Sequence, residues 1–217
     1  SKYSVSEIKH MSMEENEDEA SKVIAPERTK AVPRFRKGVD EEVKGTLRGT
    51  AYHRFFEILN YDCCKDYNSI EEYLKTSVAA GKISEEYAGL INLKRFEEFL
   101  QTDLGKRMGS AYKKGLLFRE QPFIMELGAD MIDKEYPSDE KILVQGIVDA
   151  FFFENDKVYI VDYKTDRVEQ GKAGEKALVE RYHKQLELYA DTISRVTGKE
   201  TGGCYIYSTC LKKEILI

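Results

Sequence analysis

The sequence predicts an α/β fold in which helices flank a central mixed β-sheet, with a helical region inserted ahead of the main strands. Three observations predict it. Gln145 to Lys164 reads as a β-hairpin, two apolar, β-branched and aromatic runs separated by Glu154-Asn155-Asp156-Lys157. Ser69 to Lys114 and Lys172 to Thr197 carry apolar residues at helical spacing. Strand-like stretches at Gly115 to Met125 and Gly203 to Thr209 lie on either side of the hairpin in the chain. A length of 217 residues suits one domain, read as an N-terminal helix and extended segment over 1–40, a helical region over 41–114 and a core over 115–217.

The bulk properties narrow the class. Charged residues make up 34% and prolines number four, as in a soluble mixed fold rather than a low-complexity chain. No apolar run approaches the roughly 20 residues that span a bilayer, and the start lacks a signal pattern, so cytoplasm is expected and a membrane partner is not. The chain opens on Ser rather than Met, which reads as part of something longer, and it holds no Gly-x-x-x-x-Gly-Lys-[Ser/Thr] phosphate loop. The net charge of −5 speaks against an indiscriminate nucleic-acid binder, although local sign counts for more than the sum. Cys63, Cys64, Cys204 and Cys210 contain no Cys-x-x-Cys pair, so reduced thiols are expected, with no iron–sulfur cluster.

In chain order, Ser4 or Ser6 can cap a short helix through His10 and Met13, followed by the acidic run Glu14 to Glu19. Arg28 to Lys37 reads as an extended basic segment, either resting along a nucleic-acid backbone or simply solvated. Thr50 is a candidate N-cap for a helix with apolar spacing at Tyr52, Phe55, Phe56 and Leu59, which places His53 in its first turn. On residues alone His53 is more often structural than a ligand. Ser69 to Ala80, Ser84 to Gln101 and Asp103 to Lys114 read as three packing helices with breaks at Gly81 and Gly105. Lys106, Arg107, Lys113 and Lys114 supply surface charge that could face DNA. In the following strand, alternation puts Phe118 and Glu120 on one face, and Ala129 to Lys141 looks like a loop.

The hairpin carries the chemistry. With Asn155 and Asp156 as the turn, or Glu154 to Lys157 as a four-residue loop, Phe153 faces Val158, Phe151 faces Ile160 and Asp149 faces Asp162. Two carboxylates about 5 Å apart repel by about 3 kcal/mol at an effective dielectric near 20. Lys164 points to the same face. Opposed acids on a face otherwise made of Ile and Phe are poorly explained by solvation and suit a hard divalent cation such as magnesium. The bland alternative is an exposed hairpin face with scattered charge.

Gly146-Ile147-Val148-Asp149 followed by Asp162-Tyr163-Lys164-Thr165-Asp166, with Gln185 and Tyr189 in the helix beyond, resembles the RecB-like branch of the PD-(D/E)XK nuclease superfamily. The likeness covers most of the chain and is greatest to nuclease domains at the C-terminal ends of helicase/nuclease subunits. The superfamily's Pro before the first acid is absent, and Val148 stands there. The resemblance implies a restriction-endonuclease-like core that hydrolyses DNA phosphodiester bonds, as exonuclease or endonuclease, in double-strand-break repair and recombination. It implies metal ligation by His53, Asp149, Asp162 and the Tyr163 carbonyl, with Mg2+ as cofactor and Mn2+ accepted. By the same resemblance Lys164, Glu120, Gln185 and Tyr189 belong to the catalytic site, and Asp166 organises the strand end. Implied partners are single-stranded DNA emerging from a helicase, a helicase domain of the same parent chain, and a second helicase/nuclease subunit. Two rival readings remain: a nuclease-like binding or docking module that no longer cuts, and a metal-dependent phosphatase.

Overall fold

The structure, a computed structural model, describes residues 2–4, 37–128 and 141–217. Among these, six strands and six helices follow in the order β1 (Lys2–Ser4), α1 (Lys37–Ile58), α2 (Tyr67–Ala79), α3 (Glu85–Ala88), α4 (Leu93–Gln101), α5 (Asp103–Lys113), β2 (Leu117–Gly128), β3 (Lys141–Glu154), β4 (Lys157–Lys164), α6 (Lys172–Thr197), β5 (Glu200–Ser208) and β6 (Lys213–Leu216). The sheet is mixed, with order β1-β3-β4-β5-β6 and β2 also paired to β3, and helices flank it as expected. No helix among the described residues is long and apolar enough to cross a membrane.

The chain forms two compact units, residues 1–43 with 122–146 and residues 44–121 with 147–217. In the first, β1 pairs parallel to β3 from Lys2↔Leu143 to Ser4↔Gln145, and Lys141 and Glu126 form an ion pair at 2.5 Å. Ser4 therefore ends a strand, and the short helix expected after it lies outside the described residues. Ser6, His10, Met13, the acidic run, Arg28 to Arg36 and all of the expected loop before Lys141 fall outside the described residues.

The second unit holds the hairpin. Asn155 and Asp156 take φ of 50° and 62°, so the turn is a two-residue one with both residues left-handed, as tight hairpins favour. The ladder runs from Glu154↔Lys157 through Phe151↔Ile160 to Ala150↔Val161 in the expected register. β5 joins β4 in parallel after α6, which Gly198 ends at φ 67°, and β6 returns antiparallel to β5. Ala150, Phe152, Val161, Tyr163 and Tyr207 point from one sheet face into a core with Tyr52, Phe55, Phe56, Leu59, Phe96, Phe99 and Met108. Alternation turns Asp149, Phe151, Ile160, Asp162 and Lys164 to the other face.

Three expectations about the helices are corrected. Thr50 is not an N-cap: α1 begins at Lys37, and Thr50 Oγ1 donates to the Thr46 carbonyl one turn back. No Pro interrupts the run from Lys37 to Ile58, so the helix propagates through Gly45 and Gly49 despite their low propensity. At Gly49 a Cβ would come within 3.2 Å of Thr165 Oγ1, so a small residue suits this contact with the chain just after β4. His53 is consequently mid-helix. The expected helix from Ser84 to Gln101 is two, α3 and α4, because Asn92 caps α4 through Lys94 N while its own N–H donates to Tyr52 Oη. Gly105 does not break a helix. It sits in the first turn of α5, where a Cβ would lie 2.2 Å from the Phe99 carbonyl oxygen, and the break belongs to Thr102, whose side chain caps α5.

Candidate active site

The site lies where the hairpin strands part. Beyond Ala150↔Val161 the next residue, Asp149, does not continue the ladder; its Oδ2 accepts the Tyr163 N–H at 2.8 Å. A side-chain carboxylate thus takes a bond that a strand carbonyl would ordinarily take, and the acid is held by backbone rather than by a flexible partner. Its other oxygen lies 3.3 Å from His53 Nδ1 on α1. Stacking of Tyr163 on Phe56, with ring centroids 3.9 Å apart, fixes α1 against β4 one turn from His53.

Glu120 arrives from β2 with φ 47°, a left-handed conformation that costs a non-glycine residue of order 1 kcal/mol or more. Its neighbour Arg119 turns to the far side, donating to the Leu59 carbonyl at 2.6 Å, so it does not pair with Glu120. One ligand atom each from His53, Glu120 and Asp149 falls within 4.8 Å of the others. The ligands expected by resemblance were His53, Asp149, Asp162 and the Tyr163 carbonyl; Glu120, expected at the site without a ligand role, joins His53 and Asp149 in this grouping.

Asp162 stands beside this cluster with Lys164. Its side chain is 1% exposed, and Lys164 Nζ lies 2.7 Å from Oδ2. A carboxylate oxygen carries two lone pairs, so this ion pair leaves the buried oxygen capacity for a further partner. Lys164 Nζ also rests 4.1 Å from the centre of the Tyr182 ring. Tyr182 therefore helps fix the ammonium; its place three residues before Gln185 on the same helix is the signal in the sequence that could have found it. Gln185 Nε2 donates to Tyr189 Oη at 2.7 Å. Burial and then the Asp162 charge push the Tyr189 hydroxyl pKa up, which places this pair near the acids. Asp166 accepts from Arg181 at 2.8 Å and Tyr182 at 2.7 Å, tying the chain after β4 to α6.

The electrostatics are those of a crowded anionic site. Burial, and then the Asp149 charge, raise Glu120 to about 7. Burial outweighs the nearby Lys164 charge and raises Asp162 to about 6. Asp149 is also penalised by burial, but the hydrogen bond and charge of His53, with Lys164, outweigh this and lower it. Burial disfavours the charged forms of His53 and Lys164, yet Asp149 for the first and Asp162 for the second raise both. Three neighbouring carboxylates and an imidazole fit a hard or borderline divalent cation held by oxygen and nitrogen donors.

Arg107, expected among the DNA-facing cations, is occupied elsewhere. It pairs with Glu154 at 2.7 Å and lies over the Tyr159 ring at 4.3 Å.

A family model described as the PD-(D/E)XK nuclease superfamily matches residues 28–214. An ATP-dependent helicase/nuclease subunit from Clostridium perfringens (strain SM101 / Type A) is 34% identical over 231 residues, covering 100% of this chain and 18% of that protein. The protein of the same name from Thermoanaerobacter sp. (strain X514) is 36% identical over 212 residues, 95% of this chain and 16% of its own length. Its namesake from Lachnoclostridium phytofermentans is 30% identical over 92% of this chain and 16% of its own. The chain thus spans less than a fifth of the length of these relatives.

Proposed function

This chain belongs to the PD-(D/E)XK nuclease superfamily, and from that premise we propose that it hydrolyses DNA phosphodiester bonds with a divalent cation, Mg2+ or Mn2+. The observation that carries the reading is the convergence of His53, Glu120 and Asp149 donor atoms within 4.8 Å, beside the buried Asp162–Lys164 pair. Similarity to helicase/nuclease subunits supports a role as the nuclease unit of a helicase–nuclease in double-strand-break repair, fed single strand by a motor in the same parent chain and working with a second subunit.

His53, Glu120 and Asp149 would hold the cation, with Asp162 and the Tyr163 carbonyl as further oxygen donors. Bound there, it supplies Lewis acidity toward a phosphoryl oxygen. The chain's own residues do the rest. Lys164, kept charged by Asp162 and Asp149, places a fixed ammonium where negative charge grows on the phosphoryl group. Tyr182 and Asp162 prevent that ammonium from swinging away. Gln185 and Tyr189 present a paired amide and hydroxyl beside the acids, able to orient the strand or the attacking water.

Incubation with linear single-stranded DNA and Mg2+ or Mn2+ tests the reading. Cleavage is expected with metal, none in EDTA, and none from an Asp162→Ala variant whose circular dichroism matches the parent. Binding of DNA by the unmodified chain without metal-dependent cleavage favours the docking-module alternative, and turnover of short phosphate monoesters favours a phosphatase.

A further inference from the structure

A cavity of about 310 Å3 opens against His53 and Glu120 on the side of the helical region, lined also by Thr50, Arg54, Lys82 and Tyr87. Its wall is built, not incidental. Arg54 Nε donates to the Lys82 carbonyl at 2.8 Å and its Nη1 to Glu57 at 2.5 Å, which straps the turn after α2 onto α1. Gly81 makes that turn with φ 69°, a conformation few other residues accept. Arg54 is spent on this strap. Lys82, a lining residue, is exposed and joins no ion pair among the described residues. Tyr87 is half-buried, its ring anchored on the edge of the core while it lines the cavity.

We propose that this cavity is a subsite for one unpaired nucleotide adjoining the phosphate that is cut, its base against the Tyr87 ring and its neighbouring phosphate at Lys82. The proposal rests on the nuclease reading and adds the residues that would receive the strand beside the cut phosphate. The volume, about 310 Å3, lies at the small end of ligand pockets and suits an occupant of nucleotide size. A ring face is open to a base only once that base has left its partner, and stacking of this kind tolerates any sequence. Continuity with His53 and Glu120 sets the nucleotide next to the reacting phosphate.

The test measures binding without metal, separately from cleavage. A short fluorescein-labelled single strand is titrated against the 217-residue chain in EDTA and followed by anisotropy, with a blunt duplex as comparison. Tyr87→Ala is expected to weaken single-strand binding by roughly ten-fold, and Tyr87→Phe, which keeps the ring, to bind as the parent does. Lys82→Gln, at an exposed position, is expected to lower the slope of log affinity against log salt by about 0.7, the loss of one phosphate contact. A strand carrying 5-iododeoxyuridine is expected to photo-crosslink to the peptide containing Tyr87. Unchanged affinity in Tyr87→Ala, equal binding of the duplex, or crosslinking elsewhere overturns the subsite while metal-dependent cleavage by the parent leaves the nuclease reading standing. Absence of both single-strand binding and cleavage removes the two together.

Discussion

Replacing Asp149 by Asn separates the cost of the site from its use. Asn keeps the shape and an oxygen able to accept the Tyr163 N–H, so the local fold should persist. What disappears is one negative charge close to Asp162 and Glu120. At about 5 Å and an effective dielectric near 20 a pair of carboxylates repels by about 3 kcal/mol. The imidazole 3.3 Å from Asp149 and the ammonium beside Asp162 more than offset this, because together they hold the Asp149 carboxyl below the usual carboxylate range. In EDTA near pH 7, Asp149→Asn should therefore be modestly less stable than the parent, by about 1 kcal/mol. With Mn2+ at about a hundred times the parent's dissociation constant the parent should gain about 2.7 kcal/mol. A variant that binds about a hundred-fold more weakly should gain only about 0.4 kcal/mol. Urea unfolding followed by circular dichroism, with Mn2+ and with EDTA, reads both signs. A variant more than about 2 kcal/mol less stable in EDTA, or one that keeps the full Mn2+ gain, refutes the reasoning, because Asp149 would then be a structural residue.

Three further outcomes are expected. Lys164→Met should lower the cleavage rate on single-stranded DNA by about a hundred-fold or more while leaving the Mn2+-induced stabilisation in place, since the ammonium acts on the reacting group and not on the cation. Gly105→Ala should destabilise the fold by about 2 kcal/mol in urea titrations, because its Cβ would meet the Phe99 carbonyl oxygen at 2.2 Å and neither backbone can turn aside. Burial works against the Asp166 charge, but hydrogen bonds from Tyr182 and Arg181 hold its folded pKa below the usual carboxylate range. That contribution is present above the unfolded value near 3.9 and is lost as pH falls through the folded one. Asp166→Asn should thus cost about 1 kcal/mol at pH near 6, discounted for partial exposure, and progressively less as the solution is made more acidic, in paired urea titrations.

The hairpin was legible because two periodicities and a turn agree. Apolar alternation, the Asn155-Asp156 turn and the pairing of Phe151 with Ile160 follow from residues within twenty positions of one another. The α6 helix, its Gly198 stop, and the common face of Gln185 and Tyr189 were legible for the same reason. The start of α1 was not. Thr50 looks like a cap in isolation, and only continuous helix upstream, with Gly49 packed near Thr165, shows that it is an interior residue. Arg107 likewise reads as surface charge until three aromatic rings and Glu154 enclose it.

The amino-acid sequence by itself determined the fold class, the hairpin register and the identities of the charged groups, because strand alternation and turn chemistry act over a few residues. Tertiary structure alone decided which of those groups meet. Asp149 leaves the strand ladder to bind the Tyr163 amide, Glu120 is bent inward by a left-handed backbone, and His53 reaches both from a helix that stacking of Phe56 on Tyr163 presses against the sheet. None of those three contacts has a local pattern. Each depends on long-range packing that desolvates the acids together, so the donor cluster is His53, Glu120 and Asp149, with Asp162 paired to Lys164 beside it.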